Sequence, residues 1–189
     1  DGYLARLVRK GFRVAVCEQV EDPKKAKGLV KREVVRVVSP GTLTDAGYLE
    51  AREPAFLMAI APAVEAAGLG VALLDVSTGE FTTAEYHGAD GRQALADELA
   101  ILQPREIVVP EGFEDAAALA AEVRINARVT FAAGWTFDQE SARRTLLEQL
   151  RAQSLLGYGL EERPAAVRAA GALVHYLRDT QKADLAHVR

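Results

Sequence analysis

Lys24, Lys25, Lys27, Lys31, Arg32 and Arg36 crowd into thirteen residues, KKAKGLVKREVVR, and Glu33 is the only acid among them. Cations at this density can hold phosphate groups. Here they run into an alternating apolar stretch, Val34-Val35-x-Val37-Val38, closed by Ser39-Pro40-Gly41. A basic loop on a buried strand is a rigid platform for phosphates. A solvated loop with scattered lysines is the plainer reading, and composition favours neither.

Asp75 points to a second chemistry. It ends the apolar run from Gly70 and is followed by Ser77-Thr78-Gly79 and a return strand, Glu80 to Tyr86. Ribonuclease-H-like nucleases begin this way. They need several carboxylates around two metal ions, which activate water and stabilise the leaving oxygen. Matching acids are hard to place here, since Glu98 falls on a helix and Asp138 lies past the end of the unit. A turn-capping Asp75 is the favoured reading. His175 and His187 lack a second ligand at metal-binding spacing. Cys17 sits in a strand without a nearby His, which predicts a buried, inert thiol. No GxxxxGK[ST] loop occurs, so the chain supplies no nucleotide site of that class.

The elements that position these groups fall into three units. The first starts with a helix carrying Leu4, Leu7 and Val8 on one stripe and Gly11 as its cap. A half-buried strand follows, with Phe12, Val14 and Val16 alternating with Arg13, Ala15 and Cys17. The basic loop and a second strand complete it. Residues 39–54, SPGTLTDAGYLEAREP, lack periodicity and read as a linker. The middle unit gives strands at 55–60, 70–76, 80–86, 106–109 and 128–131, with helices at about 90–103 and 116–123. Leu95, Leu99 and Leu102 share one helix face. This pattern predicts a mixed sheet with helices packed on it. The third unit is helical. Asp138 is the N-cap of a helix over 141–150, with Phe137 as its staple. Pro164 opens a second helix striped by Val167, Ala170, Val174 and Leu177.

Charge divides the chain in the same way. Residues 1–48 hold ten cations and six anions, residues 49–140 five and sixteen, and residues 141–189 eight and five. An acidic middle between basic flanks suits a protein partner better than a nucleic-acid backbone. A length of 189 residues with 49% apolar content indicates a folded chain, and no apolar run approaches the ~20 residues of a membrane span. The single cysteine fits a reducing compartment and predicts a cytoplasmic protein. The missing initiator Met and abrupt ends suggest a piece of a longer protein.

Several segments together resemble one family. YLARLVRKGFRVAVCEQVEDP and KGLVKREVVRVVSPGT are similar to the end of the mismatch-binding domain of MutS, the DNA mismatch-repair ATPase. LLDVSTGEF resembles the first hairpin of its connector domain, and LLGYGLEERPAAVRAAGALVHYLRDTQKADLAHVR the start of its helical core. Order and spacing agree across essentially the whole chain.

The resemblance implies an α/β chain in four parts. Residues 1–41 are the truncated α/β end of the mismatch-binding domain and 42–53 a linker. Residues 54–133 are a ribonuclease-H-like connector with a mixed sheet and no nuclease function, and 134–189 start the core and lever helices. The family's Phe-x-Glu wedge is not at the start of this sequence, and it is expected to lie upstream. The P-loop, the ATPase dimer interface and the DNA clamps are expected downstream. The implied partners are mismatched duplex DNA, MutL and, for the parent, a second copy. ATP and Mg belong to the parent, and no cofactor is expected here. Lys31, Arg32 and Arg36 are the candidate DNA phosphate contacts. Arg143, Arg144 and Thr145, just past Trp135, are candidates for part of the MutL surface. The alternative is a metal-dependent nuclease centred on Asp75.

Overall fold

The computed structural model describes residues 2–24, 26, 28–43, 55–64 and 68–181. Most of the stretch read as a linker lies outside the described residues.

The first unit holds helix α1 (Gly2–Arg9) and strands β1 (Val14–Gln19) and β2 (Arg32–Val38), paired antiparallel. Val8, Val38 and Leu43 form its small core, with Leu4, Val14 and Val16 packed against them. Leu7 belongs to the expected stripe but is 44% exposed, because Ala5 and Val8 take the inward positions. Gly11 ends the helix at φ 85°, a backbone state that favours glycine. The β1–β2 ladder slips once: Val16 opposes Arg36 and Cys17 opposes Val34, so Val35 has no partner. This bulge reverses which face later side chains occupy. Cys17 is exposed rather than buried, because it lies opposite the Val14 and Val16 face that meets α1.

The middle unit is a five-stranded sheet. Its strands are β3 (Phe56–Pro62), β4 (Gly68–Asp75), β5 (Phe81–His87), β6 (Glu106–Pro110) and β7 (Arg128–Ala132). Their order is β5-β4-β3-β6-β7, with β3 antiparallel to β4 and parallel to β6. A three-strand meander extended by two parallel strands is the ribonuclease-H-like arrangement. Helices α2 (Gly88–Leu102) and α3 (Asp115–Glu122) supply the crossovers.

The central strands are covered on both sides. Met58, Ile60, Val71, Ile107 and Val109 pack against Leu95, Leu99 and Leu119 of α2 and α3. Leu57, Ala59, Ala72, Leu74 and Val108 face the other way, into a second core. That core is built with α4 (Gln139–Leu150) and α5 (Pro164–Gln181). Burial on both faces explains why these strands read as continuous apolar runs. The expected α5 stripe of Val167, Ala170, Val174 and Leu177 lies in the same core. The helices after residue 133 thus share one core with the sheet.

Small residues allow the close approach. A Cβ on Gly70 of β4 would sit 2.0 Å from the carbonyl of Ala165 at the start of α5. One on Gly171 of α5 would sit 2.4 Å from Cα of Ala142 in α4. Asp138 caps α4 by accepting the Ser141 amide at 3.0 Å, and Phe137 beside it is fully buried.

Candidate interunit junction and basic surface

The basic candidates lie on and just before β2. Lys31 is exposed and paired to Glu33 at 2.6 Å, and the Glu33 hydrogen bond raises its pKa. Arg32 is exposed and opposes Gln19, whereas Arg36 is half-buried and opposes Val16. Gln19 and Val16 are three positions apart on an alternating strand, so they occupy opposite faces. The bulge therefore separates Arg32 from Arg36, which an unbroken strand would place on one face.

Asp75 is committed to a turn. Its Oδ1 accepts the Ser77 amide at 2.8 Å and the Ser77 hydroxyl at 2.6 Å. Partial burial pushes its carboxyl up, but hydrogen bonds from Ser77, Thr78 and the backbone outweigh that and hold it below the usual carboxylate range. Glu98 takes the hydroxyl of Tyr86. Among the described residues, no three His, Cys, Asp or Glu side chains gather where a metal ion could be held.

Arg143, Arg144 and Thr145, in the middle of α4, do not share one surface. Arg143 forms a two-bond fork with Glu161, at 3.0 and 2.9 Å. Thr145 is 9% exposed, whereas Arg144 is open to solvent. Nearby, Trp135 is 60% exposed and meets the ring of His175 edge-on at 4.7 Å. His175 also pairs with Asp179, one helical turn on.

The most connected polar group is one the sequence reading treated only as the start of a strand. Glu106 opens β6 and is 0% exposed. Its Oε1 accepts the hydroxyls of Thr130 at 2.6 Å and Tyr176 at 2.7 Å, and its Oε2 accepts the Gly41 amide at 3.0 Å. Gly41 follows β2, Thr130 lies in β7 and Tyr176 in α5, so one carboxylate binds all three units. A buried carboxylate persists only with such donors.

The surroundings reinforce the joint. Arg13 lies over the Tyr176 ring at 5.5 Å, and Gln181 donates to the Thr42 carbonyl at 3.2 Å. Ser39, Thr42 and Leu43 are all buried, although composition placed them in a linker. At the far end of α5, the Glu85 carboxylate accepts the Ala166 amide at 2.9 Å. Arg168 donates to the carbonyls of Phe137 and Pro62. The sequence signal for the junction is a lone acid leading an all-buried strand, EIVVP.

Comparison with known proteins identifies the family. The family model for MutS domain I covers residues 1–47, and that for MutS domain II covers residues 55–189. The DNA mismatch repair protein MutS of Symbiobacterium thermophilum is 42% identical over 189 residues, spanning 100% of this chain and 21% of that protein. MutS of Desulfatibacillum aliphaticivorans is 41% identical over 190 residues, with the same coverage of 100% and 21%. MutS of Solibacter usitatus is 44% identical over 190 residues, again covering 100% and 21%. The chain spans about a fifth of the length of these curated relatives. Matched by both domain models and by relatives along its whole length, the chain belongs to the MutS family.

Proposed function

We propose that this chain is the binding and relay segment of a DNA mismatch-repair protein, one that recognises mispaired DNA and signals to MutL under ATP control. The observation that carries the reading is the Glu106 carboxylate, held by residues before the sheet, within it and after it. A shift of α5 or of the 39–43 segment must break or drag a buried hydrogen bond to the Glu106 carboxylate, so the joint resists independent movement of the units. The relatives' printed name, DNA mismatch repair protein, supplies the process.

In this reading the first unit, through Leu43, ends the mismatch-binding domain, and the sheet together with α4 and α5, which share its second core, is the connector. The Arg32 side of β2 lies near the DNA backbone, while Lys31, just before the strand, pairs with Glu33 on the other face. The connector docks MutL, and Arg144 is the candidate contact that its position leaves open. The chain itself is assigned no catalytic centre. ATP, Mg and the ATPase belong to the rest of a homodimeric, cytoplasmic parent, because no GxxxxGK[ST] loop exists in this sequence to hold them. No helix among the described residues is long and apolar enough to cross a membrane.

The test is capture of purified MutL by the immobilised 189-residue chain, with Arg144→Glu alongside. Capture that weakens in the variant supports docking, and no capture by the unsubstituted chain removes it. The second reading, a nuclease on Asp75, rests on the ribonuclease-H-like sheet alone, and the turn bonds of Asp75 weigh against it. Mg- or Mn-dependent cleavage of DNA, lost in Asp75→Asn, would restore it.

A further inference from the structure

A cleft of about 860 Å³ lies between the end of α1 and the start of the two parallel strands β6 and β7. Arg9, Lys10, Arg105 and Arg128 all line it, and among the described residues no Asp or Glu does. This is unusual against its background. Residues 49–140 carry sixteen anions and only five cations, yet two of the five, Arg105 and Arg128, meet here. Those two are 23 positions apart in sequence, and the sheet makes them neighbours: the Arg128 amide donates to the Arg105 carbonyl at 3.1 Å. Lys10 and Gly11, just after α1, line it as well.

Like charges held together in a concave site repel one another unless an anion sits between them. Some of the charge on α1 answers the helix dipole, since basic residues suit its last turn. That account does not reach Arg105 and Arg128, which lie on a different element. The volume falls in the range of small-molecule sites and suits a chain of phosphates better than a single small anion.

We propose that this cleft binds an oligophosphate, an anion presenting two or more phosphates in a row. Arg105 and Arg128 grip it from the sheet and Lys10 from α1. The chemistry is shared by a free polyphosphate, such as that of a nucleotide, and by the backbone of a nucleic-acid strand. The proposal stands apart from the mismatch-repair reading, because it needs neither MutL nor mispaired DNA.

The experiment uses the 189-residue chain with two probes, inorganic tripolyphosphate by calorimetry and a fluorescein-labelled single-stranded dodecanucleotide by anisotropy. Binding of both, with tripolyphosphate displacing the oligonucleotide, identifies a backbone site. Binding of tripolyphosphate alone identifies a free-anion site. In either case Arg105→Gln/Arg128→Gln should weaken binding by roughly tenfold or more, from loss of two charge-assisted bonds. For the oligonucleotide, the slope of log affinity against log salt should fall by about 1.4. Lys10→Gln changes an exposed side chain that lies off the sheet and tests the cleft without touching β6 or β7. Arg92→Gln, already paired to Glu122 outside the cleft, is the control. Failure of both probes overturns the proposal, as does binding that survives in both cleft variants.

Discussion

Tyr176 in α5 donates its hydroxyl to Glu106 in β6 at 2.7 Å, across 70 residues of sequence. Glu106 is 0% exposed and Tyr176 7%, so the bond is shielded from water. It makes α5 part of the sheet's polar as well as its apolar economy. The hydroxyl of Thr130 and the amide of Gly41 complete the same carboxylate.

Glu106→Ala should be among the most damaging single substitutions in the chain. It leaves the Gly41 amide and the Thr130 and Tyr176 hydroxyls buried without their acceptor. The expected loss is about 3 kcal/mol or more, since each orphaned donor keeps its desolvation cost. At roughly 2–4 °C per kcal/mol for a chain of this size, Tm should fall on the order of 10 °C. Tyr176→Phe removes one donor and should cost only about 1 kcal/mol. Thermal melts of both variants check this, and equal small losses would mean that Glu106 is not the hub.

Alkaline pH should destabilise the fold through two tyrosines. Burial, then the charge of Glu106, pushes the Tyr176 phenol well above its ordinary value. Burial, then the hydrogen bond to Glu98, does the same for Tyr86. A folded-state pKa above the unfolded value contributes stability that is whole below about pH 10 and falls as pH rises beyond it. Urea midpoints measured from pH 8.5 to 11.5 should decline, and Tyr176→Phe should flatten part of that decline. An unchanged slope in the variant would contradict the assignment.

How much of this was legible depends on whether the signal was local. The strands of the sheet were readable because Ala55–Ile60 and Gly70–Val76 are apolar runs bounded by turn residues. Asp75 could be read as a turn cap because its partner, Ser77, is two residues away. Glu106 could not be assigned, because its partners are 65, 24 and 70 residues distant and only the packed sheet brings them together. The bulge at Val35 was invisible for a related reason. An even spacing of Arg32, Val34, Arg36 and Val38 implies one face, and only pairing with β1 shows the slip. The exposure of Cys17 follows from which side of β1 the helix α1 covers, which alternation alone leaves open.

Gly70→Ala should separate α5 from the sheet. The added methyl would lie 2.0 Å from the backbone carbon and oxygen of Ala165 and 2.5 Å from the nitrogen of Ala166. Backbone atoms cannot rotate aside, so α5 must shift, with a cost of about 1–3 kcal/mol or more. The movement would also strain the Glu85 cap on the Ala166 amide. Gly134→Ala, where nothing lies within 4 Å, is the matched control. Denaturant unfolding should show a clear loss in the first and almost none in the second, and similar midpoints would refute the close approach.

Arg32 and Arg36 should behave differently toward DNA in the full-length protein. The unpaired Val35 sets Arg32 on the Cys17 and Gln19 side of the hairpin, and Arg36 on the Val16 side that meets the core of the first unit. A duplex can lie along only one face of a two-stranded ribbon. Arg32→Glu should therefore weaken matched and mismatched duplex alike. It should also lower the slope of log affinity against log salt by about 0.9, the value of one phosphate contact. Arg36→Glu should leave that slope unchanged and instead reduce stability, because it places a carboxylate on a half-buried face. Lys31→Gln should have a smaller effect than Arg32→Glu, since its charge is shared with Glu33 at 2.6 Å. Equal slope losses for Arg32→Glu and Arg36→Glu would show that both side chains reach the backbone, and the opposite-face assignment would then be wrong.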